Sequence, residues 1–385
     1  MKKNKNLFKS FNSLILLFYN RLEGIYNSRQ MFLSAVAFVL GILWDILTIG
    51  RIDQWSNIIQ LGLYTTFGIG LVFLEIVELG NHDVQKYFSR IRKRRILDLI
   101  LGYRIEATHF LLGSLLSAFT VFFVKSASIW SSLVFILTIG AALVANELPH
   151  FRRLGVQLRL CLIVICAASY LSCLVPLIFR SIGVVPFGFA LFSTMILFFV
   201  VIILIGKIFD IGRMMYEKYL PIVMITLGAF LVFYVSGWIP PVPLAVTKIG
   251  IYRDVIRSGS FYELKHNKNP WYFWQRGEQS FYARSGDKVY VFFSVFAPAG
   301  FKENLKVKWY YRDSIKGLDL RDTMEVQMRG GRDAGYRGFA YKSRYQWGEW
   351  VVSIETADQR EIGRIALTIQ EDSGEDQRFL QSEFY

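Results

Sequence analysis

The feature that most constrains this chain is a series of long apolar runs that fills roughly its first 240 residues. A helix that crosses a membrane needs about twenty mostly apolar residues, because each residue advances about 1.5 Å through a hydrocarbon layer of about 30 Å. Seven runs reach that length, and the sequence therefore predicts seven spanning helices. They lie near Met31–Gly50, Ile58–Leu79, Ala107–Val124, Ile129–Leu148, Leu160–Phe179, Val184–Gly206 and Leu220–Trp238.

The composition supports a membrane protein and excludes an ordinary aqueous one. Hydrophobic residues make up 53% of the chain, and the mean hydropathy is +0.35. A net charge of +14 would suggest nucleic acid as a partner of a water-soluble protein, but the excess lies in short stretches between the apolar runs. Membrane topology explains that placement better. We therefore expect a lipid bilayer as the partner and no nucleic acid.

The basic residues alternate between two sets of connecting segments. Lys and Arg near helix ends are retained on the cytoplasmic side of a membrane. One set holds Lys2, Lys3, Lys5, Lys9, Arg21, Arg29, Lys86, Arg90, Arg92, Lys93, Arg94, Arg95, Arg104, Arg152, Arg153, Arg159, Lys207, Arg213 and Lys218, and the other only Arg51, Lys125 and Arg180. The alternation predicts a cytoplasmic N-terminus and, after an odd number of crossings, a C-terminal region outside the membrane.

Two segments flank the predicted helices. Residues 1–30 carry apolar side chains at helical spacing, which predicts a cytoplasmic tail with an amphipathic helix on the inner membrane surface; a loosely ordered tail is the alternative. After the last apolar run, Ile239-Pro240-Pro241-Val242-Pro243 cannot continue a helix, because proline has no amide hydrogen. Residues 239–246 are therefore predicted to form a stiff connector.

Beyond the connector, the apolar pattern becomes that of β-strands. Short β-branched and aromatic runs alternate with predicted turns at Gly286-Asp287, Gly330-Gly331 and Ala357-Asp358. About seven strands are expected over residues 247–370, in an antiparallel, immunoglobulin-like sandwich, followed by a frayed polar tail over 371–385. The fold class is thus a polytopic α-helical membrane protein with a C-terminal all-β domain. The predicted strands include Val289–Val295, Leu305–Tyr311, Tyr336–Tyr345, Trp350–Thr356 and Arg364–Ile369.

Glutamate and histidine residues recur at matching ends of the second, third and fourth predicted helices. They are Glu75, Glu78 and His82, then Glu106 and His109, then Glu147 and His150. Glu-x-x-His pairs on adjacent helices can build a divalent metal site, and the same groups can relay protons. Interfacial ion pairing is the alternative, because charges near helix ends cost little. The candidate ion-pair partners are Arg94, Arg95, Arg104 and Arg152.

The outer domain offers a second candidate site, which consists of Trp271, Tyr272, Phe273 and Trp274. These four residues lack strand-like alternation, so an exposed platform for a glycan, a lipid or an envelope protein is one interpretation. Core packing is the other. Catalysis is not expected in this domain, because it has one histidine, no cysteine and no glycine-flanked serine.

Several short motifs in roughly the last 150 residues carry a family resemblance. They are Ile239-Pro240-Pro241-Val242-Pro243-Leu244, Lys308-Trp309, Tyr336-Arg337-Gly338, Lys342-Ser343, Gly348-Glu349-Trp350-Val351-Val352 and Ile362-Gly363. The chain resembles uncharacterised bacterial inner-membrane proteins in which a multi-pass region precedes a C-terminal domain of unknown function, DUF2914. The resemblance implies a bacterial inner membrane and a periplasmic C-terminal domain, and it implies no activity.

Two hypotheses of function follow from these patterns. In the first, the chain is a non-catalytic envelope protein without a cofactor, and its β domain binds a partner or ligand outside the membrane. In the second, a transporter or intramembrane metal-dependent enzyme uses the Glu/His layer and a divalent metal. Deleting the residues after Pro243 should abolish function under the first, whereas replacing Glu78, His109 or Glu147 should do so under the second.

Overall fold

A computed structural model describes residues 53–80, 104–126, 129–147, 155–259, 261–267, 271, 274–313, 315, 317–329, 335–372, 374 and 380–385. The chain from Arg51 to Tyr385 forms one compact unit. The predicted N-terminal tail and the predicted first span, Met31–Gly50, lie outside the described residues.

Six long helices lie within the described residues. They are α1 (Trp55–Gly80), α2 (Arg104–Ser126), α3 (Ile129–Glu147), α4 (Val156–Phe179), α5 (Val184–Ile208) and α6 (Gly212–Val235), which contains a π-helical turn at Met215–Tyr219. All but α3 are long and apolar enough to cross a membrane, judged by length and composition. Helix α4 begins at Val156, four residues before its predicted start, and the helix predicted from Leu220 is extended back to Gly212 by the π-helical turn and the residues before it.

The contacts between helix ends show that neighbouring helices run in opposite directions. The C-terminal end of α1 meets the N-terminal ends of α2 and α4. At the other end of the helices, the C-terminal ends of α4 and α6 and the N-terminal end of α5 contact the β domain. The helical region therefore has a domain end, which touches the β domain, and a far end.

Helix α4 lies at the centre of the helical region, in contact with α1, α2, α5 and α6. Small residues on α1 allow this close approach: a Cβ at Gly68 would lie 2.8 Å from Cδ1 of Ile163. Helix α5 is more peripheral, since large apolar side chains such as Phe192 and Leu204 are exposed on it. That arrangement fits a helix that faces lipid on one side.

The C-terminal region is all-β, with eleven strands among the described residues. They are β1 (Ala245–Tyr252), β2 (Asp254–Ser258), β3 (Phe261–His266), β4 (Ser280–Ala283), β5 (Val289–Phe296), β6 (Lys302–Asp313), β7 (Gly317–Arg329), β8 (Tyr336–Lys342), β9 (Gly348–Glu355), β10 (Glu361–Glu371) and β11 (Gln381–Phe384). They form three sheets with the orders β1-β5-β8, β4-β10-β9-β6-β7 and β11-β3-β2.

The first two sheets face each other across one hydrophobic core. Their inward side chains alternate along the strands, as in Val291 and Phe293 of β5 and Val307 and Trp309 of β6. The predicted sandwich and its five named strands are thus confirmed. Three details were wrong: there are more strands than seven, β4 pairs in parallel with β10, and the end of the polar tail forms β11 against β3.

The sandwich has a helix end and a free end. Strand β1 starts directly after the connector, and β6 starts at a contact with the turn between α4 and α5. The turns that follow β1 and β6 therefore lie at the free end. The 12 residues of β6 span about 40 Å at about 3.3 Å per residue, so this end lies well away from the helices.

Candidate functional site

The far end of the helices contains a buried ion pair. Arg159 on α4 donates from Nε to Oε2 of Glu75 on α1 at 2.9 Å, and its Nη2 donates to the second carboxylate oxygen. Both residues are buried among apolar side chains. A two-bond pair of this kind satisfies both charges and fixes the geometry of the two helices.

The predicted Glu/His layer is only partly within the described residues. Glu78 pairs with Arg104 of α2, which is one of the partners that the sequence suggested, and His109 is buried on α2. The side chains of His82, Glu106, Glu147 and His150 lie outside the described part of the chain. Among the side chains that the structure describes, no three His, Cys, Asp or Glu groups converge as metal ligands.

The partner of Glu75 was missed by the sequence analysis, which placed Arg159 in a loop. The structure instead starts α4 at Val156, so Arg159 lies within the first turn of a buried helix. The apolar residues Leu158 and Leu160 on either side could have indicated this. Since arginines already bind both Glu75 and Glu78, a metal at these carboxylates would have to displace a guanidinium.

A contact that we call the clasp joins the β domain to α5 and α6, and it consists of Phe187, Tyr234 and Arg360. Arg360, in the turn between β9 and β10, donates to the main-chain oxygens of Tyr234 at 3.0 Å and Ile239 at 3.1 Å. Its guanidinium carbon lies 3.6 Å from the centroid of the Tyr234 ring, which also stacks on Phe187 at 3.6 Å. Arg360 thus adds a side-chain donor to two carbonyls at the end of α6, where the carbonyl of Tyr234 also accepts the main-chain N–H of Gly237 at 3.0 Å.

A second contact ties the turn between α4 and α5 to the start of β6. The main-chain nitrogen of Ile182 donates to Oε1 of Glu303 at 3.1 Å. Burial raises the pKa of Glu303; the Ile182 N–H opposes that rise, and the charge of Asp358 adds to it. At Gly300, before β6, a Cβ would lie 2.9 Å from Cδ of Arg180. The β domain therefore packs closely on the helix ends and does not hang from the connector alone.

A small pocket lies beside the clasp, between the helix ends and the connector. Its lining includes Ser172, Pro176, Tyr234 and Arg360. Among the described residues, the buried hydroxyls of Ser172 and Tyr234 have no hydrogen-bond partner. Pro176 also leaves the carbonyl of Ser172 without its usual helical donor. These groups suit ordered water.

The loop between β3 and β4 carries the predicted aromatic cluster, and its base lies at the free end of the sandwich. Arg253 donates from Nε to Oε2 of Glu278 at 2.9 Å and from Nη2 to the carbonyl of Tyr282 at 2.7 Å. Glu278 also accepts the main-chain N–H of Asn267 at 2.8 Å. The bond between Asn267 and Glu278 therefore joins the two ends of the loop, and the buried ion pair ties this base to Arg253 in the turn after β1.

The two tryptophans of this loop are exposed, as the platform interpretation expected. Trp271 is 82% exposed and Trp274 is 63% exposed, whereas Tyr272 and Phe273 lie outside the described residues. Core packing accounts for other aromatics of the domain, such as Trp309 and Trp350, which are buried. Large exposed aromatic side chains on an anchored loop are typical of an interaction surface.

Comparison with known proteins bears on the β domain. Residues 302–369 match the family model described as "Protein of unknown function (DUF2914)", so the C-terminal region contains a DUF2914-like domain. No curated protein matches the chain.

The solved structures give weak likenesses. An immunoglobulin-like protein from Pseudomonas aeruginosa matches with 13% identity and a TM-score of 0.20, over 32% of this chain and 98% of its own. A β-glucosidase from Listeria innocua in complex with glucose matches with 10% identity and a TM-score of 0.17, over 28% of this chain and 16% of its own. The alkylpurine DNA glycosylase AlkC from Pseudomonas fluorescens matches with 11% identity and a TM-score of 0.19, over 83% of this chain and 99% of its own. Likenesses at these TM-scores are too weak to indicate function.

Proposed function

We propose that this chain, whose C-terminal region contains a DUF2914-like domain, is a multi-pass protein of a bacterial inner membrane. Its N-terminus is cytoplasmic, and its β domain lies in the periplasm and binds a partner or ligand there without catalysis. The helices anchor the domain and fix its orientation. One observation carries the proposal: the clasp holds one end of the sandwich, and the exposed tryptophans lie on a loop anchored at the other.

The charges at the two ends of the helices support this orientation. Arg104, Arg159, Lys207 and Arg213 lie at the far end, whereas Lys125 and Arg180 lie at the domain end. Basic residues concentrate on the cytoplasmic side of membrane proteins. The far end is therefore the cytoplasmic end, and the β domain lies on the opposite side.

The clasp explains why the domain has a fixed orientation. A flexible tether would let the β domain rotate, but here Arg360 and Glu303 hold it at separate helix ends. A rigidly held domain keeps its free end at a constant height above the membrane. Trp271 and Trp274 are therefore presented away from the lipid, where a partner in the periplasm can reach them.

The non-catalytic role follows from the chemistry of the domain. It contains one histidine and no cysteine, and its buried charged groups are occupied by structural ion pairs such as Arg253 with Glu278. A catalytic nucleophile needs an adjacent base. Tryptophan and arginine side chains at an exposed loop instead favour recognition.

Two experiments on the full-length chain test the proposal. A cysteine introduced at Ser285, in the exposed turn between β4 and β5, should react with a membrane-impermeant maleimide in intact spheroplasts, and one introduced at Ile208 should not. Labelling at Ile208 alone would contradict the orientation. Replacing Trp271 and Trp274 together by alanine should abolish the function of the full-length protein in a complementation assay, while Trp55→Ala, at an exposed helix start, should not.

A further inference from the structure

On strand β8, small residues face the core and large aromatic residues face outward, which is the reverse of the usual arrangement. Its core-facing residues include Gly338 and Ala340, whereas Phe339 and Tyr341 point outward and are 37% and 45% exposed. The small core-facing residues are explained by Phe293 of β5, because a Cβ at Gly338 would lie 2.8 Å from Cζ of that ring. Nothing in the core requires aromatic residues on the outer face, where large exposed apolar side chains signal interaction.

These outward rings continue onto the neighbouring strand as one surface, which we call the aromatic strip: Tyr290, Phe339 and Tyr341. The ring centroid of Tyr290 lies 5.4 Å from that of Tyr341 and 6.2 Å from that of Phe339. Tyr290 and Tyr341 are direct cross-strand partners in the sheet. The strip is therefore a contiguous aromatic surface on a rigid sheet.

The third sheet covers only part of this face. Tyr262 and Leu264 of β3 pack with Tyr252 and Phe292, which belong to β1 and β5. Phe339 of β8 also contacts this sheet, because its ring centroid lies 6.5 Å from that of Tyr262, and Tyr290 packs against the same cluster. Tyr341, the third ring of the strip, is 45% exposed. The third sheet still leaves Phe339 and Tyr341 partly exposed, so burial alone does not explain the aromatic rings at these two positions.

The charges around the strip are mostly positive. Lys288 is exposed, lies 4.9 Å from the centroid of the Tyr341 ring and has no carboxylate partner among the described residues. At the other end, Arg337 donates to the main-chain oxygen of Tyr385 at 3.2 Å. Two acids lie near this face: Asp254, beside Tyr290 and directly opposite Lys265 in the third sheet, and Glu383, which pairs with Lys248 at 2.6 Å. The surface therefore favours a ligand that combines flat rings with negative charge.

We propose that the aromatic strip binds the sugar rings of an acidic glycan, with Lys288 contacting a carboxylate of the ligand. The C–H bonds of a sugar ring carry partial positive charge and stack on the negative face of an aromatic ring. A peptide that added to the edge of β8 would use main-chain bonds, which would leave outward aromatic rings unexplained. The inference rests on the proposed function, since it names the ligand class of the periplasmic domain.

The full-length chain in nanodiscs of zwitterionic lipid should be titrated with oligogalacturonate and with its neutral methyl ester. The wild type should bind the acid form more tightly. Tyr341→Ala should weaken binding of both forms roughly tenfold, because one stacking partner is lost, and Tyr341→Phe should retain most of it. Lys288→Gln should remove the preference for the acid form.

Tyr282→Ala is the matched control, because Tyr282 is 49% exposed on β4 of the other large sheet; its binding should equal that of the wild type. Thermal melting of each variant checks that the fold is intact. Absence of binding by the wild type, or unchanged binding by a folded Tyr341→Ala variant, overturns the glycan inference. The maleimide assay distinguishes failure of the glycan inference from failure of the proposed function. If the β domain is labelled from outside but binds no glycan, the proposed function stands. If the β domain is cytoplasmic, the proposed function is overturned, whatever the strip binds.

Discussion

Two buried ion pairs, one in each half of the molecule, use the same chemistry in different surroundings. Arg159 with Glu75 joins two helices, and Arg253 with Glu278 joins the turn after β1 to the base of the loop between β3 and β4. In each pair a guanidinium makes two bonds to one carboxylate. The pairs differ in what else supports them.

The pair in the β domain has several additional partners. Arg253 also bonds the carbonyl of Tyr282 and lies 4.5 Å from the centroid of the Phe281 ring, and Glu278 also accepts the N–H of Asn267. For Arg159 and Glu75, the described side chains provide only the bonds between the two. When the arginine is lost, Glu278 keeps the N–H of Asn267, whereas the described side chains give Glu75 no other donor. Loss of the arginine should therefore cost more in the helices than in the β domain.

The largest effect is expected for Arg159→Met. Removal of the guanidinium leaves the carboxylate of Glu75 buried without a counter-charge, which costs about 3–5 kcal/mol of stability. Thermal unfolding of the purified protein in detergent measures the loss. The double variant Glu75→Leu with Arg159→Met should recover most of it, because a well-packed apolar pair often replaces a buried ion pair at little cost. Arg213→Met serves as the control, since its pair with Glu217 is exposed.

A smaller loss of stability is expected for Arg253→Met. Glu278 retains the N–H of Asn267, so the cost should be about 2–3 kcal/mol. Limited proteolysis at the loop that carries Trp271, together with thermal unfolding, measures the effect. A loss of stability equal to or larger than that of Arg159→Met would contradict the idea that the N–H of Asn267 compensates Glu278 for the lost guanidinium.

Substitution in the clasp should cause the next largest loss of stability. Arg360→Ala leaves the carbonyls of Tyr234 and Ile239 without their side-chain donor and removes the contact with the Tyr234 ring, at a cost of about 1–3 kcal/mol. The β domain should then become more accessible to protease at the connector. Arg364→Ala, which removes a pair with Glu361 on the same strand, should leave the connector protected.

The smallest effect concerns the pH dependence at Glu303. Because its pKa is raised above the ordinary value of 4.5, this group contributes stability that is present below pH 4.5 and lost as the pH rises through the folded pKa. Glu303→Gln should therefore be more stable than the wild type at pH 7, with the difference disappearing at low pH. Melting temperatures across that range test the sign. The exposed Glu325→Gln variant is the control, and a wild type more stable than Glu303→Gln at pH 7 would contradict the prediction.

The sequence predicted the parts of the fold that depend on local periodicity. Apolar runs such as Val184–Gly206 and alternating strands such as Val289–Val295 were found because burial on one face requires these spacings. Strand β4 and the tail strand β11 were missed because each has four residues and depends on a partner distant in the chain. Short strands carry too little pattern of their own to be recognised.

The candidate sites were predicted less completely, for a physical reason. The exposed Trp271 and Trp274 could be identified because they interrupt the strand pattern. The pairing of Glu75 with Arg159 spans 84 positions in the chain. The spacing of residues within one helix does not predict which other helix it contacts. The aromatic strip required the sheet register, because Tyr290 and Tyr341 belong to strands separated by β6 and β7.

The clasp has a consequence for how the protein is made. Tyr234 is synthesised well before Arg360, and the two carbonyls that Arg360 binds emerge from the ribosome without this side-chain donor. The contact at the end of α6 can therefore form only after the β domain has been synthesised and folded. In the proposed topology, assembly of this protein finishes on the trans side of the membrane, so a block in export of the last segment should leave the end of α6 without this contact and open to quality-control proteolysis.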